Sequence, residues 1–187
     1  MFGSSEKADS KMKKNHFGGR TMHIDVSRRF YQEGDSGIAF KIIPSQKHKG
    51  MVLSNKLKKE LIRDFELDKN YAQLHAVCIY HLIRDELDSF DNLVICNDES
   101  YFDVKRYLDI LFLDNEKYLS KFITSLSKLR EITGDAKIRS YADGIANVYR
   151  RKALKPIRRR QKGVLLDIVQ INYKMIKEKL EVTKKIK

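Results

Sequence analysis

The stretch Met22-His23-Ile24-Asp25-Val26-Ser27 decides the fold that the sequence predicts. Its apolar and polar residues alternate, and this period of two is typical of a β-strand with two different faces. A turn-rich segment at residues 32–37 and a second apolar run at residues 38–43 follow it, so we predict a β-hairpin. Asp25 lies in mid-strand, where aspartate is uncommon because it packs poorly and competes for backbone hydrogen bonds. Either that face of the strand contacts water or Asp25 has a chemical role.

Apolar spacing predicts a third strand, two helices and a buried strand after the hairpin. The third strand is residues 50–53, one helix follows the N-cap Ser54, and a longer helix follows Asp68. The run Leu93-Val94-Ile95-Cys96 is continuously apolar. This is typical of a fully buried strand that is parallel to its neighbours, since helices precede and follow it.

The second half of the chain is predicted to be mainly helical. Ser100 and Asp103 match a capping box, and so do Ser140 and Asp143. Further helices are predicted at residues 118–132 and 164–185, and residues 136–138 fit either an edge strand or a loop. The order of these elements indicates an α/β fold.

Length and composition favour one globular domain. The chain has 187 residues, of which 42% are hydrophobic and 34% are charged, and this is short for two domains. No apolar run approaches the roughly 18 residues of a membrane helix, and the N-terminus has no apolar signal region, so we expect a cytoplasmic protein. We expect a disordered leader at residues 1–20, the α/β domain at residues 21–150, and a basic connector with a C-terminal helix at residues 151–187.

Three aspartates are positioned to meet at one edge of the predicted sheet. Asp98 follows the buried strand, Asp25 lies in the first strand, and Asp143 lies in the first turn of a late helix. Sites in such sheets form at the carboxyl ends of strands, and three carboxylates there suit one or two hard cations such as Mg²⁺. Two such ions about 4 Å apart can activate a water and stabilise the leaving oxygen of a phosphodiester. Each acid also has an interpretation without a chemical role. Asp25 could lie on a solvent-exposed face of the sheet, Asp98 could be an ordinary loop residue, and Asp143 could cap the helix that it begins.

These acids, together with the segment Ala142-Asp143-Gly144-Ile145-Ala146-Asn147, resemble the RNase H-like superfamily. That superfamily includes ribonuclease H, the RuvC-type junction resolvases and transposase-like relatives. The resemblance implies an RNase H-like mixed sheet flanked by helices. It also implies that Asp25, Asp98 (or Glu99) and Asp143 bind catalytic Mg²⁺ or Mn²⁺.

The resemblance further implies a fourth acid on the helix after the third strand. Glu60 is the nearest match, and Glu86 is the substitute. The five histidines show no metal-binding spacing, so zinc is not expected. His23 shares a strand face with Asp25 and could assist proton transfer, although a packed or solvated histidine is the more common case.

Positive charge is concentrated in the C-terminal part of the chain. Residues 150–187 carry fourteen Lys or Arg against three acids, which accounts for +11 of the total +13. Basic residues without matching acids gain affinity for phosphates by releasing counterions, whereas the alternative is a solvated run of charge. The predicted nucleic-acid contacts are Arg150, Arg151, Lys152, Lys155, Arg158, Arg159, Arg160 and Lys162. A membrane surface is less favoured because the last helix carries both charge signs, and its apolar stripe is expected to pack on the body or on a second copy, which would make a homodimer.

The favoured hypothesis is therefore a metal-dependent nuclease that hydrolyses DNA or RNA. The alternative is a non-catalytic nucleic-acid-binding or assembly protein on the same fold, for which binding would depend on salt and not on metal. A purely structural protein would show neither property.

Overall fold

The computed structural model describes residues 18–152 and 166–184, over which the chain forms a five-stranded mixed sheet. The strands are β1 (Thr21–Ser27), β2 (Ser36–Ile43), β3 (His48–Leu53), β4 (Asn92–Ile95) and β5 (Phe122–Ser125), in the order β3-β2-β1-β4-β5. The helices of these residues are α1 (Asn55–Phe65), α2 (Tyr71–Ile83), α3 (Tyr101–Leu111), α4 (Glu116–Leu119), α5 (Leu126–Thr133), α6 (Ile145–Lys152) and α7 (Tyr173–Lys184). Two short 3₁₀ turns lie at Leu67–Lys69 and Leu87–Ser89.

Strand pairing confirms the predicted hairpin and the predicted parallel strand. β1 pairs antiparallel with β2, where Asp25 lies opposite Ala39, and β2 pairs antiparallel with β3. β1 and β4 are parallel, with Ile24 opposite Ile95, and β4 and β5 are also parallel. The carboxyl ends of β1, β4 and β5 therefore lie at the same edge of the sheet.

The main core lies between one face of the sheet and α2. Met22 and Ile24 of β1 are fully buried there, as the alternating pattern predicts. Eleven of the thirteen residues of α2 are buried, because α3 and α7 cover the side of α2 that faces away from the sheet. Such a helix is apolar on most of its circumference.

The other face of the sheet is covered by α5 and α6. α6 lies very close to β2 and β3, because glycines stand at the points of contact. A Cβ atom on Gly37 would lie 2.3 Å from the carbonyl oxygen of Ala146, and one on Gly50 would lie 2.5 Å from the ring of Tyr149. These two glycines therefore allow α6 to approach β2 and β3 closely.

The predicted helix at residues 118–132 is wrong in its middle part. The chain forms α4, then β5, then α5. Ile123 and Thr124 are β-branched and favour a strand, and pairing with β4 supplies the backbone hydrogen bonds. Ser125 then ends the strand and begins α5, since its hydroxyl accepts a hydrogen bond from the Lys128 amide at 3.1 Å. Residues 136–138 form a loop, one of the two alternatives.

The predicted last helix is also wrong in its first part, because residues 166–172 are not helical and form an isolated β-bridge between Ile168 and Gly50. Gly50 of β3 donates to the Asp167 carbonyl at 3.1 Å, and Val169 donates to the Gly50 carbonyl at 2.8 Å. This segment therefore covers backbone groups that an edge strand would leave unpaired. The Asn172 side chain accepts a hydrogen bond from the Met175 amide at 3.0 Å and begins α7.

The apolar stripe of α7 packs on the body of the same chain. Ile176 and Leu180 are fully buried against the main core, and Gln73 of α2 donates to the Thr183 hydroxyl at 2.7 Å. Packing on the body was one of the two alternatives for this helix. Residues 164, 165 and 185 of the predicted helix lie outside the described residues.

Most of the predicted leader, residues 1–17, lies outside the described residues. Its last residue, Arg20, joins the amino ends of β1 and β4. The Arg20 amide donates to Asp91 Oδ2 at 2.8 Å, and its guanidinium forms an ion pair with the same carboxylate at 3.0 Å.

Candidate metal centre

Parallel pairing of β1 with β4 brings the first two donor groups of the site together. The Cys96 amide donates to the Ile24 carbonyl at 3.2 Å and so extends the ladder by one residue beyond β4. Asp25 and Cys96 thus lie side by side at the carboxyl ends of neighbouring strands. Asp98 follows two residues later, and one ligand atom from each of Asp25, Cys96 and Asp98 lies within 4.8 Å of the other two. The predicted meeting of Asp25 with Asp98 is confirmed.

Asp25 is the most deeply placed carboxylate of this cluster. Its Oδ1 accepts a hydrogen bond from the Val26 amide at 2.9 Å. Burial, followed by the negative charges of Asp98 and Asp143, raises the pKa of Asp25 to about 6, although the hydrogen bond from Val26 acts in the opposite direction. Ionisation of Asp25 is unfavourable in the absence of a cation, and a nearby cation would stabilise the ionised carboxylate. Asp25 is therefore suited to bind a cation.

Asp98 and Cys96 complete the three-donor set. Arg29 donates from Nε to Asp98 Oδ1 at 3.1 Å and forms an ion pair with it, which orients that carboxylate. Burial raises the pKa of the Cys96 thiol well above its usual value, and the charges of Asp98 and Asp25 add to this effect. A metal ion bound here would meet two hard oxygen donors and one soft sulfur donor.

Asp143 lies in the turn before α6 and not in its first helical turn. Ser140 accepts hydrogen bonds from Ala142 at its hydroxyl, at 3.2 Å, and from Asp143 at its carbonyl, at 3.1 Å. The predicted capping box at Ser140 is therefore wrong, because Gly144 has a φ of +80° and α6 begins only at Ile145. Asp143 is exposed, and its charge acts on Asp25.

A pocket of about 320 Å³ joins all three predicted aspartates. It contains three arginines as well as three aspartates, so charges of both signs face the same space. The residues that line it are Asp25, Arg29, Cys96, Asn97, Asp98, Leu126, Arg130, Arg139, Ser140 and Asp143.

Neither of the two glutamates predicted as a fourth acid, Glu60 and Glu86, lines the pocket. Glu99 remains the alternative to Asp98. Glu60 is on α1, where its charge acts on Arg63 and Tyr173, and it does not line the pocket. Glu86 is buried and accepts from Lys49 Nζ at 3.1 Å. Glu99 is half-buried beside Asp98, and burial followed by the Asp98 charge raises its pKa to about 6.

Of the predicted basic contacts, the structure describes the first three. Arg150 donates from Nε to the Ser27 hydroxyl at 3.0 Å and from a terminal nitrogen to Asn147 Oδ1 at 2.7 Å. The bond to Ser27 joins α6 to β1, whereas the bond to Asn147 lies within α6. Arg151 and Lys152 are exposed on α6, and the remaining predicted contacts, Lys155, Arg158, Arg159, Arg160 and Lys162, lie outside the described residues.

Sequence reasoning missed one donor and three cations of the pocket. Cys96 ends the predicted buried strand two residues before Asp98, and this closeness in the sequence was the signal for it. Arg130 and Arg139 gave no such signal, because the prediction had placed residue 130 inside a long helix. His23 is buried with its ring edge-on to Tyr141 at a centroid distance of 4.7 Å, as in the packed interpretation.

Comparisons with protein-family models, with curated proteins and with solved structures found no match to this chain. Within residues 18–152 and 166–184, no helix is long and apolar enough to cross a membrane. Fold and site together define an α/β protein with a mixed five-stranded sheet and a cluster of two carboxylates and one thiol that could hold a metal ion.

Proposed function

We propose that the chain is a metal-dependent nuclease that hydrolyses phosphodiester bonds of DNA or RNA. One observation carries this proposal: donor atoms of Asp25, Cys96 and Asp98 lie within 4.8 Å of one another at the carboxyl ends of β1 and β4. Asp143 lines the same pocket from the turn before α6.

The sheet topology supports an RNase H-like assignment for this proposal. An antiparallel hairpin precedes the third strand, and two parallel strands lie on the other side of β1. Asp25 lies in the first strand and Asp98 follows the fourth strand, as the resemblance implies, whereas Asp143 lies in the turn before a late helix and not on the helix itself. The assignment rests on topology and on these positions alone.

The residues present suit Mg²⁺ or Mn²⁺. Asp25 and Asp98 would hold the ion, and Asp143 would act from across the pocket, because carboxylate oxygens are the ligands both ions accept. When bound, the ion would act as a Lewis acid on the phosphate and lower the pKa of a water. Arg29 keeps Asp98 oriented through its 3.1 Å bond, and the burial of Asp25 strengthens its interaction with a cation.

The test is cleavage of labelled single-stranded, duplex, hybrid and four-way-junction substrates with Mg²⁺, Mn²⁺ or EDTA. We expect cleavage that EDTA abolishes, and a loss of at least about a hundredfold in Asp25→Asn and in Asp98→Asn, as is typical when a group that stabilises the transition state is removed. Asp103→Asn is the matched control, because Asp103 is an acid on α3 that pairs with Arg106 at 3.4 Å outside the pocket. Cleavage by the wild type that persists in Asp25→Asn would overturn the proposal.

One observation favours the alternative, a non-catalytic nucleic-acid-binding or assembly protein. Neither Glu60 nor Glu86 lines the pocket, so the fourth acid that the resemblance implies is not at the site. For this alternative, duplex would bind and dissociate with rising salt, with no cleavage under any metal.

A further inference from the structure

We infer that Arg130 and Arg139 form a phosphate-binding subsite beside the candidate metal centre. The inference rests on the proposed function for its ligand, a phosphate of a nucleic-acid strand. It concerns residues other than the basic ones between positions 150 and 162, since both arginines come from α5 and the loop after it.

The guanidinium of Arg130 is held in place by the protein. Its Nε donates to the Ile138 carbonyl at 2.8 Å, and the side chain is half-buried in the wall of the pocket. Arginine has five N–H donors in a planar fork, so the four on the terminal nitrogens stay available. A fork that is already oriented loses less conformational entropy when it binds a phosphate in a bidentate manner.

Arg130 and Arg139 also differ in their partners from half of the ten arginines in the described residues. Across the described part of the chain, no carboxylate lies within 4.0 Å of the nitrogens of either residue. Five other arginines do form such ion pairs with aspartates, at 2.8 to 3.5 Å: Arg20, Arg29, Arg63, Arg84 and Arg106. Two cations that face one pocket without a paired acid are a suitable site for an anion.

The charge of the pocket agrees with a phosphodiester as that anion. Three aspartates and three arginines line it, so a single divalent cation on the carboxylates would make its net charge positive. The cation and the arginines would then contact the same strand at neighbouring points. Oxygen atoms of a phosphate accept hydrogen bonds from arginine and also coordinate hard cations.

The experiment measures binding of a short fluorescent single strand, in DNA and RNA versions, by anisotropy at several salt concentrations. Ca²⁺ is included to occupy the carboxylate cluster during the measurement, because it binds oxygen ligands. The variants are Arg130→Gln and Arg139→Gln, and the matched control is Lys128→Gln, which removes one positive charge from the same helix at a residue outside the pocket. Arg139→Gln keeps the test valid if Arg130→Gln loosens the loop at Ile138, because Arg139 is exposed.

We expect each arginine variant to bind roughly tenfold or more weakly, as for the loss of a charge-assisted hydrogen bond. Each should also reduce the salt slope of log affinity by about 0.7, the value for one phosphate on a single strand. The control should bind within about twofold of the wild type, because exposed charges act weakly at a distance. Arginine variants that bind like the control, or a wild type that binds no strand, would overturn the subsite.

Cleavage kinetics separate this inference from the proposed function. If strands bind through both arginines but no metal supports cleavage, the subsite stands and the nuclease proposal fails. If the wild type cleaves and both arginine variants keep its KM, the nuclease proposal stands and the subsite is wrong.

Discussion

Asp25 is the residue at which stability and the proposed function oppose each other. An aspartate in a buried strand would normally be avoided, and its pKa of about 6 shows that ionisation is unfavourable in the fold without a cation. The folded state therefore binds the Asp25 proton more tightly than the unfolded state, so the ionised carboxylate lowers stability above the folded pKa. Such a cost is a common property of functional sites.

We predict that Asp25→Asn stabilises the metal-free protein by on the order of 2 kcal/mol at neutral pH. The Asn side chain keeps an acceptor for the Val26 amide and removes the buried charge. The gain should shrink as pH falls through about 6 and disappear below about 4, where Asp25 is protonated in both states. Urea unfolding in EDTA at a series of pH values measures it.

Asp91→Asn is the control for this prediction, because we expect it to change the stability in the opposite direction. The hydrogen bond from Arg20 lowers the pKa of Asp91 to about 2, so its carboxylate stabilises the fold above the unfolded pKa and loses that effect as pH falls through about 2. Asp91→Asn should therefore destabilise the protein at neutral pH. An Asp25→Asn variant that is less stable than the wild type at neutral pH would contradict the assignment of Asp25 as a desolvated acid.

Cys96 should influence which metal ion the cluster prefers. Thiolate sulfur favours softer ions than carboxylate oxygen does, so we predict that Cys96→Ser binds Cd²⁺ roughly tenfold or more weakly, while its Mg²⁺ affinity changes less. The measurement is the sulfur-to-metal charge-transfer band of Cd²⁺ in the ultraviolet, together with competition titrations.

Cys78 provides the control for this titration. Cys78 is fully buried in α2, where burial raises its pKa to about 12, and it is not part of the donor cluster. Cys78→Ala should keep the Cd²⁺ band. A band that persists in Cys96→Ser would show that the thiol is not a ligand.

At the scale of elements, α6 and the turn before it are positioned by glycines of neighbouring strands. The Cβ atom missing from Gly37 would meet Ala146 at 2.3 Å and the Arg150 side chain at 2.8 Å. The close packing of α6 allows Arg150 to reach Ser27 on β1. Asp143 lies two residues before this helix.

We predict that Gly37→Ala lowers the free energy of unfolding by about 1–3 kcal/mol, the usual cost of overpacking. The added methyl group cannot be accommodated unless α6 moves away from β2. Amide hydrogen exchange should show lost protection throughout α6.

Gly134→Ala is the control for this prediction. A Cβ on Gly134 would contact nothing within 4 Å, although its φ of +66° disfavours alanine, so its effect should stay within the last turn of α5. Unchanged protection of α6 in Gly37→Ala would contradict the packing role of Gly37.

For the whole molecule, the proposed function draws on two groups of positively charged residues. One is the pair of pocket arginines next to the acids, and the other is the basic run at residues 150–162, most of which lies outside the described residues. The first source would act on one phosphate at the site. Under the proposed function, the second would supply affinity that does not depend on the nucleic-acid sequence.

We predict that the triple substitution Arg158→Gln, Arg159→Gln and Arg160→Gln lowers the salt slope of duplex binding by about 2 to 3. Each phosphate contact contributes about 0.9 to that slope, and three contacts would be lost. Cleavage of bound substrate should stay within about twofold of the wild type, because the triple substitution leaves Asp25, Asp98 and Asp143 unchanged. Filter binding across a salt series, with single-turnover kinetics at saturating protein, measures both quantities. An unchanged slope would indicate that the basic run is a solvated stretch of charge.

Much of the fold was predictable from local pattern, and the exceptions have a physical cause. Alternation in β1 and the continuous apolar run of β4 are properties of consecutive residues, so their strands were predicted within two residues. The strand β5 was missed because Phe122 and Ile123 fit the apolar spacing of a helix as well as that of a strand. Pairing with β4 decided between the two. The segment before α7 was missed for the same reason, since hydrogen bonds with Gly50 decide its conformation.

The amino-acid order alone was enough to place one aspartate in the first strand and another after the buried strand, because both statements depend on neighbouring residues only. The folded chain was needed to show that Cys96 joins them, that Glu60 acts on Arg63 and Tyr173 and does not line the pocket, and that Arg130 and Arg139 do line it. Those facts depend on strand order and on the packing of α5 and α6, which bring together residues far apart in the chain. Periodicity shows on which side of a helix or strand a residue lies. To predict a site, one must also know which helices and strands lie next to each other.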